Sequence, residues 1–465
     1  MRTNYPGILK ALSAAGSVAM VCWLVSKGAA AAPAPTAPDN CNVTQPNTAV
    51  TPGLLTSGLP CKAQFVAPFN LETLQHGFDF YSWLTFVALN SPGDGKTVIG
   101  KGPGAAGDAP TVWEAWKDID SIMRADGTPP MPWDTPTPVP APCKDLFAPG
   151  LAVVSMVGKT PNVLSAISEP FKTGPLIDQN GNYTRFDILV NKTMFDHIVA
   201  DKLYSKVGQQ SFTGEISFPA GSLASKGPFP TNLTPGTIGS IMIKLAWKIM
   251  GPADSPARFH TLAALVYTKP VAGTSPNTHE SCRKATLGLV GIHIAHKIDG
   301  DPQWIWSSFE QVDNVPSQAD VNAGHLNPHY NYFDLRCKAC KVNEPPPRPW
   351  DPNLQPFPGG FKSQITRVIP LTPEAVGITR SFQAILKGTV WENYMLVSTQ
   401  WPTDAASKTD PTGRPAPTFL ANTTAETYIQ GNAPQASSNC IECHNNATTT
   451  TGKFSDFTYI LENAH

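Results

Sequence analysis

The chain has 465 residues, 47 of them proline, and only 15% of its residues are charged, against roughly 25% in ordinary soluble domains. With 41% hydrophobic and 9% aromatic residues it can bury a core, which excludes a charge-solvated disordered chain, and its length suits about three domains or one large β-rich one. A formal charge of -1 with no Lys/Arg-rich run excludes a nucleic-acid groove and a polybasic membrane patch.

Arg2 and Lys10, the apolar run Ala11 to Val25 and the small residues Ala29 to Ala32 read as a signal peptide over 1–32. The run is shorter than the roughly 20 residues a membrane-spanning helix needs. Export to the bacterial periplasm or beyond is expected, with no membrane span after cleavage and a mature charge of about -4. Residues 33–68 read as a Pro/Ala-rich extended arm stapled onto an α+β body over 69–343. Helices are expected over Leu71 to Leu89 behind an Asn70 cap, over Val112 to Met123 and over Lys192 to Tyr204. Alternation then dominates: Gly239 to Met250 places Ile241, Ile243, Leu245, Trp247 and Ile249 on one face, and Phe259 to Tyr267, Leu287 to His296 and Gln303 to Phe309 read as its neighbours. A Pro-rich loop fills 344–358, and 359–465 is a C-terminal part packed on the body. Within it we expect a helix from Thr372-Pro373 to near Gly388, a strand over Val390 to Trp401, and a short helix behind the capping-box pattern Thr423-x-x-Glu426. The fold class is α+β: an antiparallel sheet core with surrounding helices, loop-rich, ending in a distinct C-terminal segment.

The cysteines name that segment. Cys440-Ile441-Glu442-Cys443-His444 is the c-type haem attachment pattern. Two thiols add to the haem vinyls, and the adjacent His is carried under the iron as proximal ligand. One covalent haem c is therefore expected, with Cys440 and Cys443 attaching it and His444 ligating its iron. Setting aside Cys22 in the leader, six cysteines remain: Cys41, Cys61, Cys143, Cys282, Cys337 and Cys340. An even number in an oxidising compartment suits disulfides. Cys337-Lys338-Ala339-Cys340-Lys341 also fits a second haem site with lysine as ligand, or a metal or dithiol site, and spacing alone does not choose.

The attachment motif lies about twenty residues from the C-terminus and no Met follows His444, so the upstream sheet must supply the haem pocket. His293 is the preferred distal group. On a strand it shares a face with Leu289, Gly291 and Ala295, while His296 shares the other with Ile292 and Ile294. His260, His325 and His329, and the sulfurs of Met242 and Met250, are further candidates. Glu310 and Asp313 would be acid/base groups or a solvated pair at a strand end.

Lys244 stands on the face opposite the apolar row of its strand, solvated or turned to a cofactor. The arrangement of Pro235-Gly236-Thr237 to Lys244, followed by Cys440 to His444 and Asp456-Phe457-Thr458-Tyr459, resembles the "P four-sixty" cytochromes. That resemblance implies a β-rich exported protein with a strand lysine, here Lys244, cross-linked to haem c, and hydroxylamine oxidation or nitric-oxide binding as activity. The run Trp304 to Asn314 also resembles a stretch of large uncharacterised bacterial exported cytochromes. The expected function is that of a mono-haem c-type oxidoreductase acting on a small ligand of the peroxide, nitric oxide or hydroxylamine class, with a redox partner protein. His293 and Lys244 are the catalytic candidates. An electron carrier with a filled sixth site and a gas-binding protein are the alternatives.

Overall fold

The structure is a computed structural model that describes residues 40–94, 97–99, 109–155, 173–223, 234–269, 280–404, 415–430 and 438–465, all within the compact unit Ala34–His465. The expected leader over 1–32 lies outside the described residues. Eleven strands run in chain order: β1 (Asn40–Cys41), β2 (Lys117–Asp118), β3 (Ala152–Val154), β4 (Arg185–Val190), β5 (Ser222–Leu223), β6 (Thr234–Thr237), β7 (Ile241–Ile249), β8 (Thr261–Thr268), β9 (Ser281–Ile298), β10 (Asp301–Gln311) and β11 (Tyr394–Gln400). The helices are α1 (Leu71–Leu89), α2 (Ile119–Ile122), α3 (Lys192–Ala200), α4 (Lys206–Ser211), α5 (Gln318–Ala323), α6 (Pro373–Ile385) and α7 (Cys440–Asn445). The α+β class holds.

An eight-stranded sheet carries the order β11-β10-β9-β7-β4-β2, with β8 also on β9 and β3 beside β8. All its pairings are antiparallel except β3 with β8. The 18-residue β9 makes this possible: β7 lies along one edge, while β8 takes the first half of the other edge and β10 the second. One face is closed by α1 and α6. Asn70 Oδ1 accepts from Thr73 N at 3.0 Å, and Asn70 N donates back to Thr73 Oγ1 at 3.1 Å, which starts α1 where the capping pattern predicts. From Gly77 onward α1 is buried all round, and Trp83 stacks on Phe382 of α6 with centroids 4.9 Å apart.

Several elements differ from expectation. The helix expected over Val112 to Met123 is a 3-10 turn Val112–Ala115, the short β2 and then α2; Lys117 pairs with Val190, and Asp118 caps Ser121 N to restart the helix. The helix from Lys192 stops at Ala200, with Lys202 at φ 54°. Val390–Asn393 is a 3-10 turn before β11, because Thr389 Oγ1 accepts from Trp391 N. Residues 423–428 are turns and not a helix. There Thr423 is drawn to Glu310, Asn422 caps Thr424 N instead, and the Glu426 carboxylate returns to Asn422 N.

The six remaining cysteines form Cys41–Cys61, Cys143–Cys282 and Cys337–Cys340. The first closes the arm on itself; the arm is held to the body by the pairing of β1 with β6, by Leu55 and Leu59 in the core under α1, and by His76 Nε2 at 3.0 Å from Pro46 O. The third uses the thiols a second haem attachment would need. Among the described residues no helix is long and apolar enough to cross a membrane.

Candidate functional site

The second face of the large sheet is covered by α3 and the C-terminal segment. Gln209 of α4 ties that segment down, donating to Leu461 O at 2.8 Å and accepting from Thr450 N at 3.0 Å. Within it α7 begins at Asn439, whose side chain accepts from Glu442 N at 2.9 Å, while Ile441 is fully buried and donates its N–H to Gln400 Oε1 at 2.9 Å. In a helix, positions i, i+3 and i+4 share one face, so Cys440, Cys443 and His444 project together. Both thiols are half-buried and stand outside the three disulfides.

His444 is oriented from three sides. A carbonyl can only accept, so Nδ1–H donates to Phe457 O at 2.8 Å, and Nε2 becomes the nitrogen placed for a ligand bond. Trp306 of β10 lies 4.3 Å away between ring centroids and Tyr459 5.2 Å away on another side. The Tyr459 hydroxyl donates to Cys443 O at 2.7 Å, and burial, reinforced by Cys443 and Glu462, pushes its phenol up to about 12.

Register places the other candidates. Ile188 of β4, Lys244 of β7, His293 of β9 and Ser308 of β10 are direct cross-strand partners, so their side chains form one row on the face that also carries Trp306. Lys244 is the one residue of β7 that is not fully buried, and His293 is the one between Leu287 and Ile298. The row is half-buried at Ile188, Lys244 and His293, while Ser308 and the His293 Nε2 atom are buried. The Lys244 ammonium stands 5.1 Å from the Phe186 ring centroid. His293 Nε2 lies 3.3 Å from Glu426 Oε2, and the same carboxylate oxygen accepts from Asn422 N at 3.0 Å.

Behind that pair is a buried network. Glu310 is fully buried, ion-paired with Arg367 at 2.8 Å, and accepts from Thr423 N at 2.7 Å and Thr423 Oγ1 at 2.5 Å. It is therefore not a solvated group; it anchors the turn that presents Glu426. At Gly291 a Cβ would meet Thr424 Oγ1 at 2.2 Å, so this glycine is what lets the turn lie on the sheet.

The remaining candidates are elsewhere. His296 is on the opposite face, 2.5 Å from the Tyr81 hydroxyl, and burial pushes its imidazole down to about 3. His260 lies 3.0 Å from Glu114 and is stacked on Trp391. His325 and His329 are exposed. Asp313 pairs with Arg258 at 2.6 Å. Met242 is on the site's face, with its sulfur accepting from Thr458 Oγ1 at 3.4 Å, and Met250 packs at the far end of that core. Leu289 does not share the face of His293: a register shift opposite Ala246 and Trp247 turns it to the other core and puts Val290 here instead. Trp306, Glu426 and the Phe457 carbonyl were not singled out from sequence; alternation along β10 could have found Trp306, but no local pattern announces the other two.

Among the described residues no group of three or more His, Cys, Asp or Glu side chains is arranged to hold a bare metal ion. A haem asks for less: two thiols and one imidazole on one helix face, an acceptor fixing that imidazole, and an apolar wall. The residues present fit those requirements. No protein-family model, curated protein or solved structure matches the chain.

Proposed function

We propose that this chain is an exported c-type cytochrome carrying one covalent haem, attached through Cys440 and Cys443 and ligated by His444. We propose further that it acts as an oxidoreductase on a small ligand at the iron. The observation that carries this reading is that the attachment helix faces the same sheet surface on which Lys244 and His293 are register partners at the one partly open row. Bound there, haem iron would supply one-electron chemistry to a ligand of the peroxide, nitric oxide or hydroxylamine class. His293 Nε2 exchanges a proton with the ligand or with Glu426 Oε2, and the Asn422 N–H fixes the carboxylate that faces it. Lys244 adds positive charge at the same row, in the place where the resemblance to the "P four-sixty" cytochromes would put a cross-link. The disulfides support an oxidising compartment, and a redox partner protein would complete the electron path.

The test is an absorption spectrum of the purified protein in both redox states, with and without carbon monoxide. A pyridine haemochrome of the c type and a ferrous spectrum shifted by carbon monoxide are expected. A haem spectrum indifferent to carbon monoxide would replace the oxidoreductase with a carrier, and absence of covalent haem would remove the reading altogether.

A further inference from the structure

The turn that receives His444 is strained. Asp456 and Phe457 are consecutive non-glycine residues in the left-handed region, at φ 52° and 64°. For residues with a Cβ this conformation costs on the order of 1–2 kcal/mol each, and it persists only where the surroundings impose it. Two anchors do so here. On one side the buried Asp456 carboxylate pairs with Lys297 at 2.6 Å and accepts from Phe218 N at 2.6 Å through the same oxygen. Lys297 belongs to β9, and its ammonium also donates to Ser217 Oγ at 3.1 Å. On the other side Thr458 N donates to Ser455 O at 3.2 Å, and Ser455 Oγ donates to Thr458 O at 2.7 Å. Between the anchors the carbonyl of the second strained residue is turned to His444 Nδ1.

We infer that Lys297 and Asp456 are a positioning pair for His444, holding the Asp456-Phe457 turn left-handed so that the Phe457 carbonyl receives the Nδ1 proton. The inference rests on the haem c reading above. An imidazole whose N–H donates to a fixed carbonyl is the more basic at its other nitrogen, and a more basic axial ligand favours ferric over ferrous iron. With a haem bound, the pair would act on the iron's redox equilibrium through the Asp456-Phe457 turn and His444. Both side chains line a cleft of about 280 Å³ with Glu215, Phe218 and Phe454, so either can be changed without cutting into a continuous core.

The experiment uses the full-length holoprotein and the variants Asp456→Asn and Lys297→Gln, with Lys297→Arg as the charge-conserving control. Haem content, reduction potential and the ferrous iron–histidine stretching frequency are measured. The first two variants should keep their haem, lower the stretching frequency and shift the redox equilibrium toward ferrous iron by about tenfold, or about 59 mV for one electron. Lys297→Arg should keep most of the parent's potential and stretching frequency. Either charge-removing variant that retains haem with potential and frequency unchanged overturns the inference, so one that accumulates is sufficient. In the unsubstituted protein the His444 Nδ1 proton should exchange slowly with solvent; fast exchange overturns the carbonyl bond on which the pair acts. A parent protein without covalent haem overturns the haem reading itself, and is recognised before any substitution is made.

Discussion

The two faces of the large sheet share their strands and differ in almost everything else. On the face under α1 and α6, Ile241, Ile243, Leu245 and Trp247 of β7 meet Leu287, Leu289, Ile292 and Ile294 of β9, all buried, with Trp83, Phe86 and Phe382 packed above. On the other face the same two strands present Met242, Lys244, Ala246, Gly291, His293 and Ala295, and the row through Lys244 and His293 is left partly open. Period-two alternation separates these sets, so one residue along the strand decides whether a side chain enters the core under α1 and α6 or the face covered by the C-terminal segment. Both faces carry a buried core, and the second departs from full burial at the row through Lys244 and His293.

Substitutions should split along that line. The largest effect is expected from Cys440→Ser combined with Cys443→Ser, which should abolish covalent haem while leaving the closed face intact. Acid-acetone extraction of the denatured protein, together with the far-ultraviolet circular dichroism of the folded one, checks both halves. Haem that still resists extraction would mean that α7 is not the attachment site.

On the open row, His293→Ala should lower turnover by roughly 10²- to 10⁴-fold with covalent haem content unchanged. Loss of a six-coordinate low-spin spectrum in that variant would instead make His293 an axial ligand and the protein a carrier. Unchanged spectrum and turnover would take His293 out of the site. On the closed face, Trp83→Ala should cost about 3–5 kcal/mol of stability in urea denaturation and leave the haem spectrum unmoved. A spectrum that changed with the core would show that the two faces are not separable.

What could be read before folding follows the same division. The apolar row of β7 and the Asn70 cap of α1 are local patterns, and both are found where alternation and capping put them. The attachment motif is also local, and three disulfides suit an even count. Glu426 was legible only as half of a capping box, because its partner His293 lies on a strand more than a hundred residues away. Glu310 looked like a solvated strand end and is instead the buried anchor of that turn, since its charge is met by Arg367, which no spacing rule connects to it. Leu289 leaves the face that alternation assigns it, because a bulge cannot be seen in an alternating string.

The last effect concerns a polar group inside the closed face. Asp79 of α1 is fully buried, with Oδ1 accepting from Thr399 N at 3.1 Å and Gln75 Nε2 at 3.0 Å, and burial pushes its carboxyl up to about 7. The unfolded chain releases this proton near 4, the folded chain near 7, so the stability Asp79 contributes is whole below about 4 and declines as pH rises through that window. The slope is about 1.4 kcal/mol per pH unit, and it vanishes above about 7. His296 works in the opposite sense: its imidazole is pushed down to about 3, so its contribution declines as pH falls below the ordinary histidine range. The two trends oppose each other in the parent protein and hide the Asp79 term in its pH profile. Asp79→Asn removes one and keeps the other, so the difference in stability between parent and variant should move in the variant's favour from pH 4.5 to 7 and then stay constant. Parallel stability curves for the two proteins across that range would mean that Asp79 ionises in the closed face as it does in water, and that this face is wetter than its packing implies.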